Sequence, residues 1–100
     1  MKLKLNPKKL ATVLFNLSNE NDILLQVNNA LKELNNIAAD NGQFRMLIQS
    51  KKINGKTKVD ILNKILGNSG HPLVNEIISY LSGSNALDDL RNISLQYQAL

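Results

Sequence analysis

The segment closest to a chemical motif is residues 50–57, which read SKKINGKT. It departs from the phosphate-binding pattern G-x-x-x-x-G-K-[ST] only at its first position, where Ser50 replaces a glycine. A phosphate-binding loop needs the turn that this glycine helps to form, successive backbone N–H groups around the phosphates, and a parallel sheet behind the loop. A polar loop before a helix start explains the same residues, so we favour a structural role for them over nucleotide binding.

Lysines are concentrated in and after this segment. They are Lys51, Lys52, Lys56, Lys58 and Lys64. Local positive charge of this kind can neutralise a nucleic-acid backbone, which keeps a small basic nucleic-acid-binding protein open as an alternative function. No aromatic residue is interleaved with these lysines, however, and a solvated helix face is the commoner meaning of such a cluster. We therefore expect no nucleic acid among the partners.

Few other residues could carry catalysis or bind a metal. The chain has no cysteine and a single histidine, which excludes a thiolate site and a multi-histidine site. His71 lies beside Gly70 and Pro72 without an acid or hydroxyl placed to form a triad, so we interpret it as a surface or capping residue. Asp88 and Asp89 follow a predicted helix cap, where negative charge favours the helix dipole. We expect no catalytic residue, no metal and no cofactor.

The composition is that of one folded domain. The chain has 100 residues, of which 43% are hydrophobic but only 4% are aromatic, and it has five glycines. Aliphatic residues on a glycine-poor backbone favour helices. No apolar run approaches the roughly 20 residues needed to span a bilayer, and no signal-peptide core follows the N-terminus. We expect no membrane insertion and a cytoplasmic location.

Apolar residues recur at helical spacing in six segments, and no alternating strand pattern competes with them. The predicted helices cover residues 6–18, 21–40, 42–50, 54–66, 71–83 and 85–99. Asn6 and Asn54 are predicted N-caps, and Gly67 and Gly83 are predicted helix ends. Short connections favour antiparallel neighbours, so the fold class we predict is all-α, a compact six-helix bundle within a single domain.

Three further boundaries are predicted from asparagine. Asn41 and Gly42 tolerate positive φ and are expected to end the second helix. Two asparagine and aspartate pairs, each three residues apart, resemble N-terminal caps of the second and sixth helices. These pairs are Asn19 with Asp22 and Asn85 with Asp88.

The first and fifth helices are apolar over an unusually wide arc. In so small a bundle, one face of each helix is buried internally, and a second apolar strip must find a partner or remain exposed. A groove that accepts an amphipathic helix would use this second strip. A central position of the two helices in the bundle would explain it equally well, and periodicity leaves both interpretations open.

Five stretches of the chain resemble, in order, the helices of the F-type ATP synthase delta subunit, the bacterial counterpart of the oligomycin-sensitivity-conferring protein. Residues 9–17, KLATVLFNL, resemble the opening helix of that family, in which Tyr-Ala-x-Ala-Leu-Phe is typical. Residues 44–50, 56–66, 72–81 and 87–97 are similar to its later helices. The resemblance implies a six-helix N-terminal domain that is a binding module of the peripheral stalk and not an enzyme.

The resemblance also implies a partner and a site. In that family the domain holds the N-terminal helix of an alpha subunit at the top of the catalytic head, chiefly along its first and fifth helices. The stalk resists torque and so supports proton-driven ATP synthesis. Carried over by position, the candidate groove residues are Leu10, Val13, Leu14, Ile77, Tyr80 and Leu81.

The chain departs from the family pattern in three places. Leu10 stands where a tyrosine is usual, which removes a ring and a hydroxyl from the expected groove. Asn85, Ala86 and Leu87 replace Gly-Arg-Leu, and asparagine tolerates the same left-handed backbone as glycine. The sequence ends near the end of the family's first domain. We therefore expect the stalk-binding C-terminal domain, and with it the b-subunit contact, to be absent, and the isolated domain to be a monomer. Within the synthase we expect it to be peripheral, at the cytoplasmic face of the membrane.

Overall fold

The structure is a computed structural model that describes residues 6–100, with the exception of the Ser69 side chain. Six α-helices follow one another: α1 (Pro7–Glu20), α2 (Leu24–Asp40), α3 (Gly42–Gln49), α4 (Gly55–Leu66), α5 (Pro72–Ile78) and α6 (Ala86–Ala99). A short 3-10 helix, Gly67–Ser69, continues the end of α4, and no β-strand occurs between residues 6 and 100. The predicted all-α class and its six helices are confirmed.

Two helix starts have the predicted side-chain caps. The Asn6 side-chain oxygen accepts a hydrogen bond from the Lys9 backbone N–H at 2.8 Å, at the start of α1. The Asn54 side-chain oxygen accepts one from the Thr57 backbone N–H, also at 2.8 Å, at the start of α4. Each bond satisfies one of the N–H groups that a helix start leaves without an intrahelical partner. Gly67, with φ of 49°, ends α4 as predicted.

The start of α2 was predicted wrongly. α1 continues through the expected break as far as Glu20, and α2 begins at Leu24 and not at residue 21. Asp22 has φ of 57°, so it lies in the left-handed turn between the two helices instead of the first turn of α2. Ile23 is the N-cap residue and makes no side-chain cap bond, so the pair Asn19 and Asp22 does not cap α2.

The other two asparagine boundaries also differ in mechanism from the prediction. Asn41 has an extended backbone, φ of −128°, and its side-chain oxygen accepts a hydrogen bond from the Phe44 N–H at 3.0 Å. It therefore caps the start of α3, and α2 ends without a residue at positive φ. Asn85 occupies the N-cap position of α6 but makes no side-chain cap bond there.

α5 is shorter than the predicted helix over 71–83. It ends at Ile78, and the backbone N–H groups of Tyr80 and Leu81 bond three residues back, which tightens the chain into a turn. The Leu81 carbonyl then accepts a hydrogen bond from the Lys58 ammonium at 2.8 Å. The Gly83 N–H donates to the Gln49 carbonyl, also at 2.8 Å. The segment after Ile78 is thus bonded to α4 and to the end of α3, and these bonds replace a further helical turn.

One core lies between the helices. α6 contacts α1, α2 and α3, while α5 contacts α1, α2 and α4. The buried apolar side chains are mostly leucine, isoleucine, valine and alanine, as expected from the composition, and Phe44 and Tyr97 add two aromatic rings. Burial of this apolar surface is the main favourable contribution to folding. α1 and α5 therefore lie beside one another on a common core, and this arrangement positions the candidate site.

Candidate functional site

The six predicted groove residues divide into two groups in the structure. Four are buried in the core, each 5% exposed or less: Leu10, Leu14, Ile77 and Leu81. The other two are on the surface, Val13 with 46% and Tyr80 with 58% of the side chain exposed. Only Val13 and Tyr80 can therefore contact a partner without a rearrangement of the core, and the four buried residues support them from below.

Leu17 is an exposed apolar residue of α1 that the predicted site omitted. Successive residues of an α-helix are about 100° apart, so Val13 and Leu17 lie one above the other on the same face. This face is next to the one that buries Leu10 and Leu14. Leu17 is 37% exposed, and its helical spacing from Val13 was the sequence signal that could have identified it.

The opposite edge of the α1 apolar arc faces α6. There, the Phe15 ring contacts the Tyr97 ring edge to face, with 5.7 Å between ring centroids. Val13 and Leu17 therefore lie on the edge of the arc that points away from Tyr97. α5 also packs against α1, and Tyr80 lies in the turn that follows α5. We therefore consider the exposed apolar residues of α1 and of this turn together as one candidate surface. We call Val13, Leu17 and Tyr80 the α1–α5 surface.

Tyr80 also borders a small cleft between α4 and α5, with a volume of about 280 Å³. Its other lining residues are Gly55, Lys56, Val59, Asp60, Glu76 and Ser79. Tyrosine combines an apolar ring with a polar hydroxyl, and here it lies in a cleft lined by apolar Val59 and by several polar residues. Aromatic residues with this mixed character are enriched at protein interfaces.

Lys58 has a different role from the one that its sequence context indicates. The side chain is 1% exposed, and its ammonium group donates three hydrogen bonds to backbone carbonyls. The acceptors are Ile48 at 3.1 Å, Ser50 at 3.1 Å and Leu81 at 2.8 Å. Burial lowers the pKa of Lys58 below its ordinary value. The three carbonyl oxygens act in the opposite sense, because they stabilise the protonated form.

The burial of Lys58 reduces the predicted basic cluster to four exposed lysines, Lys51, Lys52, Lys56 and Lys64. Lys58 belongs instead to the buried face of α4, where Leu62 and Leu66 follow it at intervals of four residues. That spacing is visible in the sequence, but the charge of a lysine favours an exposed position, so the sequence alone does not indicate its burial. The helix therefore presents fewer phosphate contacts than the lysine count indicates.

Residues 50–54 form a loop that leads into the first turn of α4 at residues 55–57, as the structural interpretation predicts. The Ser50 hydroxyl oxygen accepts from the N–H groups of Lys52 at 3.3 Å and Ile53 at 3.4 Å. With Asn54 bonded to Thr57, three N–H groups of this loop bond to its own side chains instead of remaining free for an anion. The segment that precedes the loop is α3, a helix, whereas a phosphate-binding loop follows a strand.

The remaining polar candidates are also local structural residues. Nδ1 of His71 accepts a hydrogen bond from the Leu73 N–H at 3.2 Å, which confirms the capping interpretation. Asp88 and Asp89 lie in the first turn of α6, where the helix dipole favours them.

Within residues 6–100 there is no group of three His, Cys, Asp or Glu residues that could hold a metal ion. None of the helices described in that range is long and apolar enough to cross a bilayer.

Comparison with known families identifies a match that spans nearly the whole chain. The family model described as ATP synthase delta (OSCP) subunit matches residues 8–100. This range includes all six helices except the first residue of α1. A search of curated proteins and a search of solved structures each found no match.

Proposed function

The chain belongs to the ATP synthase delta (OSCP) family of peripheral-stalk subunits, and we propose that its α1–α5 surface binds the N-terminal helix of an alpha subunit. On this proposal the chain is a non-catalytic component of the stator, at the cytoplasmic face of the membrane. Its function is mechanical, because tight binding to the catalytic head prevents the head from rotating with the rotor. In the family, the b-subunit contact belongs to a separate C-terminal domain, so the proposal concerns the alpha-subunit contact alone.

The observation that carries the proposal is the exposure of Val13 and Leu17 on the edge of α1 away from α6. Their spacing of four residues matches the repeat of an amphipathic partner helix, whose apolar residues recur every three or four positions. Tyr80 adds a large, partly apolar side chain in the turn that follows α5. Together these side chains offer the apolar contact area that a helix-in-groove interface requires.

The four buried residues supply the second part of the proposal. Leu10, Leu14, Ile77 and Leu81 fix the α1 and α5 backbones against the core, so the exposed side chains are held in place before the partner arrives. Preorganisation of this kind favours affinity because less conformational entropy is lost on binding. Leu10, at the position of the usual tyrosine, is 3% exposed and contributes to packing instead of to the surface.

The proposal is tested by titration calorimetry of the chain with a peptide of the N-terminal segment of the alpha subunit from the same genome. We expect saturable binding with a negative heat-capacity change, which is the mark of apolar burial. Val13→Glu and Leu17→Glu should each weaken binding by at least about tenfold, because a charge would be buried against the partner's apolar face.

Met46→Glu is the matched control, since Met46 is an apolar helix residue on α3 that is 71% exposed. It should bind within about twofold of the wild type. All variants alter exposed positions, and circular dichroism should show unchanged helicity. Wild-type affinity in both α1 variants would refute the assignment of the surface, and the absence of binding by the unaltered chain would refute the partner.

A further inference from the structure

The largest cleft described lies away from the α1–α5 surface, between α2, α3 and α6. Its volume is about 580 Å³. The lining residues are Lys32, Asn35, Asn36, Ala38, Ala39, Arg45, Leu87, Leu90, Arg91, Ser94 and Leu95. We call this the basic cleft. No residue of α1 or α5 lines it, so it is independent of the proposed alpha-subunit contact.

Each of the three helices contributes one cation to the basic cleft. Lys32 comes from α2, Arg45 from α3 and Arg91 from α6, and none of the lining residues is aspartate or glutamate. Lys32 and Arg91 are exposed. A concave surface with charge of one sign concentrates the field and attracts a ligand of opposite charge.

Arg45 is fixed in position at one side of this cleft. Its Nη1 donates to the backbone carbonyls of Ala38 at 2.8 Å and Ala39 at 3.2 Å, at the C-terminal end of α2. The hydrogen bonds described for this guanidinium involve Nη1 alone, which leaves Nε and Nη2 for a further acceptor. A guanidinium that is already oriented loses little entropy when it binds a carboxylate.

The cleft also has an apolar component. Leu87, Arg91 and Leu95 follow one another at intervals of four residues, so they form one row along α6. Leu95 is 57% exposed, although it is a large apolar side chain. The α2 wall from Lys32 to Ala39 is about 10 Å long at 1.5 Å per residue, enough for about two turns of a partner helix.

We propose that the basic cleft binds an acidic, amphipathic segment of a second protein. Carboxylates of that segment pair with Lys32 and Arg91 at the rim and with the oriented guanidinium of Arg45. Its apolar side chains pack on Leu87 and Leu95. The combination of leucines with cations favours a protein over a nucleic acid, because the lining contains no aromatic side chain on which a base could stack. The domain then has two docking surfaces, one apolar and one basic.

The test uses the full chain, labelled with ¹⁵N and observed by NMR. The probe is an acetylated and amidated peptide of two Leu-Glu-Glu-Leu-Ala-Glu-Ala repeats, and its counterpart has glutamine at every glutamate. We expect saturable shift changes centred on the cleft residues of α2 and α6 with the glutamate peptide, and at least about tenfold weaker binding of the glutamine peptide.

Two double variants with the same change in net charge distinguish binding in the cleft from a general effect of the charge of the protein. Lys32→Glu with Arg91→Glu should weaken binding of the glutamate peptide by at least about tenfold, whereas Lys56→Glu with Lys64→Glu should leave it within about twofold. All four positions are exposed, so both double variants should keep the helical spectrum.

Four outcomes would overturn the proposal. The first two are that the glutamate peptide causes no saturable shift changes, or that the changes are centred outside the cleft. The third is that both double variants weaken binding of the glutamate peptide equally. The fourth is that the glutamine peptide binds as tightly as the glutamate peptide. A single-stranded oligonucleotide that shifts the same resonances at lower concentration than the peptide would assign the cleft to nucleic acid instead.

Discussion

Lys58 joins the end of α3 and the loop that follows it to the turn after α5. Its ammonium group bonds the carbonyl of Ile48 in α3, that of Ser50 in the following loop, and that of Leu81 after α5. The last carbonyls of a helix have no intrahelical partner, and a cation at that end is favoured by the helix dipole. One buried lysine therefore satisfies backbone groups that would otherwise be left without partners.

Replacing Lys58 should destabilise the fold substantially. Lys58→Met keeps most of the apolar stem but leaves three carbonyls without their donor, so we expect the free energy of unfolding to fall by roughly 2–4 kcal/mol. Urea unfolding monitored by circular dichroism measures the change. Lys56→Met, on the exposed part of the same helix, is the control and should change stability by about 0.5 kcal/mol or less. Equal effects of the two substitutions would show that the three hydrogen bonds add no stability.

At the scale of the helices, the sequence predicted boundaries well where a local bond determines them. Asn6 and Asn54 bond to N–H groups three residues away, and this pattern can be recognised in the sequence. The end of α5 at Ile78 depends on Lys58 and Gln49, which are distant in sequence, so periodicity continued the helix too far.

The candidate site also combines features that depend on local sequence with features that depend on contacts between distant residues. Helical spacing identified the wide apolar arc of α1, but it could not separate the buried Leu14 from the exposed Val13. Which side of the arc is covered depends on where α6 packs, and this is a tertiary property. The basic cleft was not predicted for the same reason, since its three cations come from three different helices.

The turn after α5 gives a prediction about how this segment is held. Gly83 has φ of 81°, a backbone region that L-residues rarely adopt, and a Cβ at this position would lie 2.9 Å from Cε of Lys51. Gly83→Ala should therefore lower the free energy of unfolding by roughly 1–2 kcal/mol. Thermal and urea unfolding would both detect this loss.

Gly42→Ala is the matched control for the turn. Gly42 is the first residue of α3, and a Cβ there would meet only the Arg45 side chain, at an ordinary 3.5 Å. This substitution should change stability by about 0.5 kcal/mol or less. If Gly83→Ala were equally harmless, the hydrogen bond between this turn and the Gln49 carbonyl of α3 would not require a glycine at position 83.

At the scale of the whole molecule, Tyr97 connects the last helix to the second. Its hydroxyl donates a hydrogen bond to the Leu24 carbonyl at 2.7 Å, across 73 residues of sequence. Burial raises the pKa of Tyr97 above its ordinary value of 10.0, while the Ser18 hydroxyl acts in the opposite sense. The folded chain therefore keeps this proton at a pH where the unfolded chain has lost it.

This difference predicts a pH dependence of stability. A raised pKa in the folded state contributes stability that is complete below the unfolded pKa and is lost as pH rises through the folded pKa. The stability difference between wild type and Tyr97→Phe should thus be constant below about pH 10 and should decrease at higher pH. Urea unfolding of both proteins across this range measures the difference, and a constant difference up to pH 11 would contradict the prediction.

The two surfaces give the whole domain a simple organisation. The apolar α1–α5 surface and the basic cleft are built from different helices, and one shared core holds both in position. A subunit that transmits mechanical load between proteins needs separate contacts on a rigid body, because a contact that moves freely cannot resist torque.

The most direct test of the stator contact is site-specific cross-linking in the assembled ATP synthase. The chain contains no cysteine, so Val13→Cys introduces a single thiol in this sequence, to which benzophenone maleimide can be attached. The label at position 13 should cross-link to the N-terminal segment of an alpha subunit, whereas the same label on Met46→Cys should not. Cross-linking at position 46 equal to that at position 13, or none to an alpha subunit at position 13, would contradict the proposed role of α1.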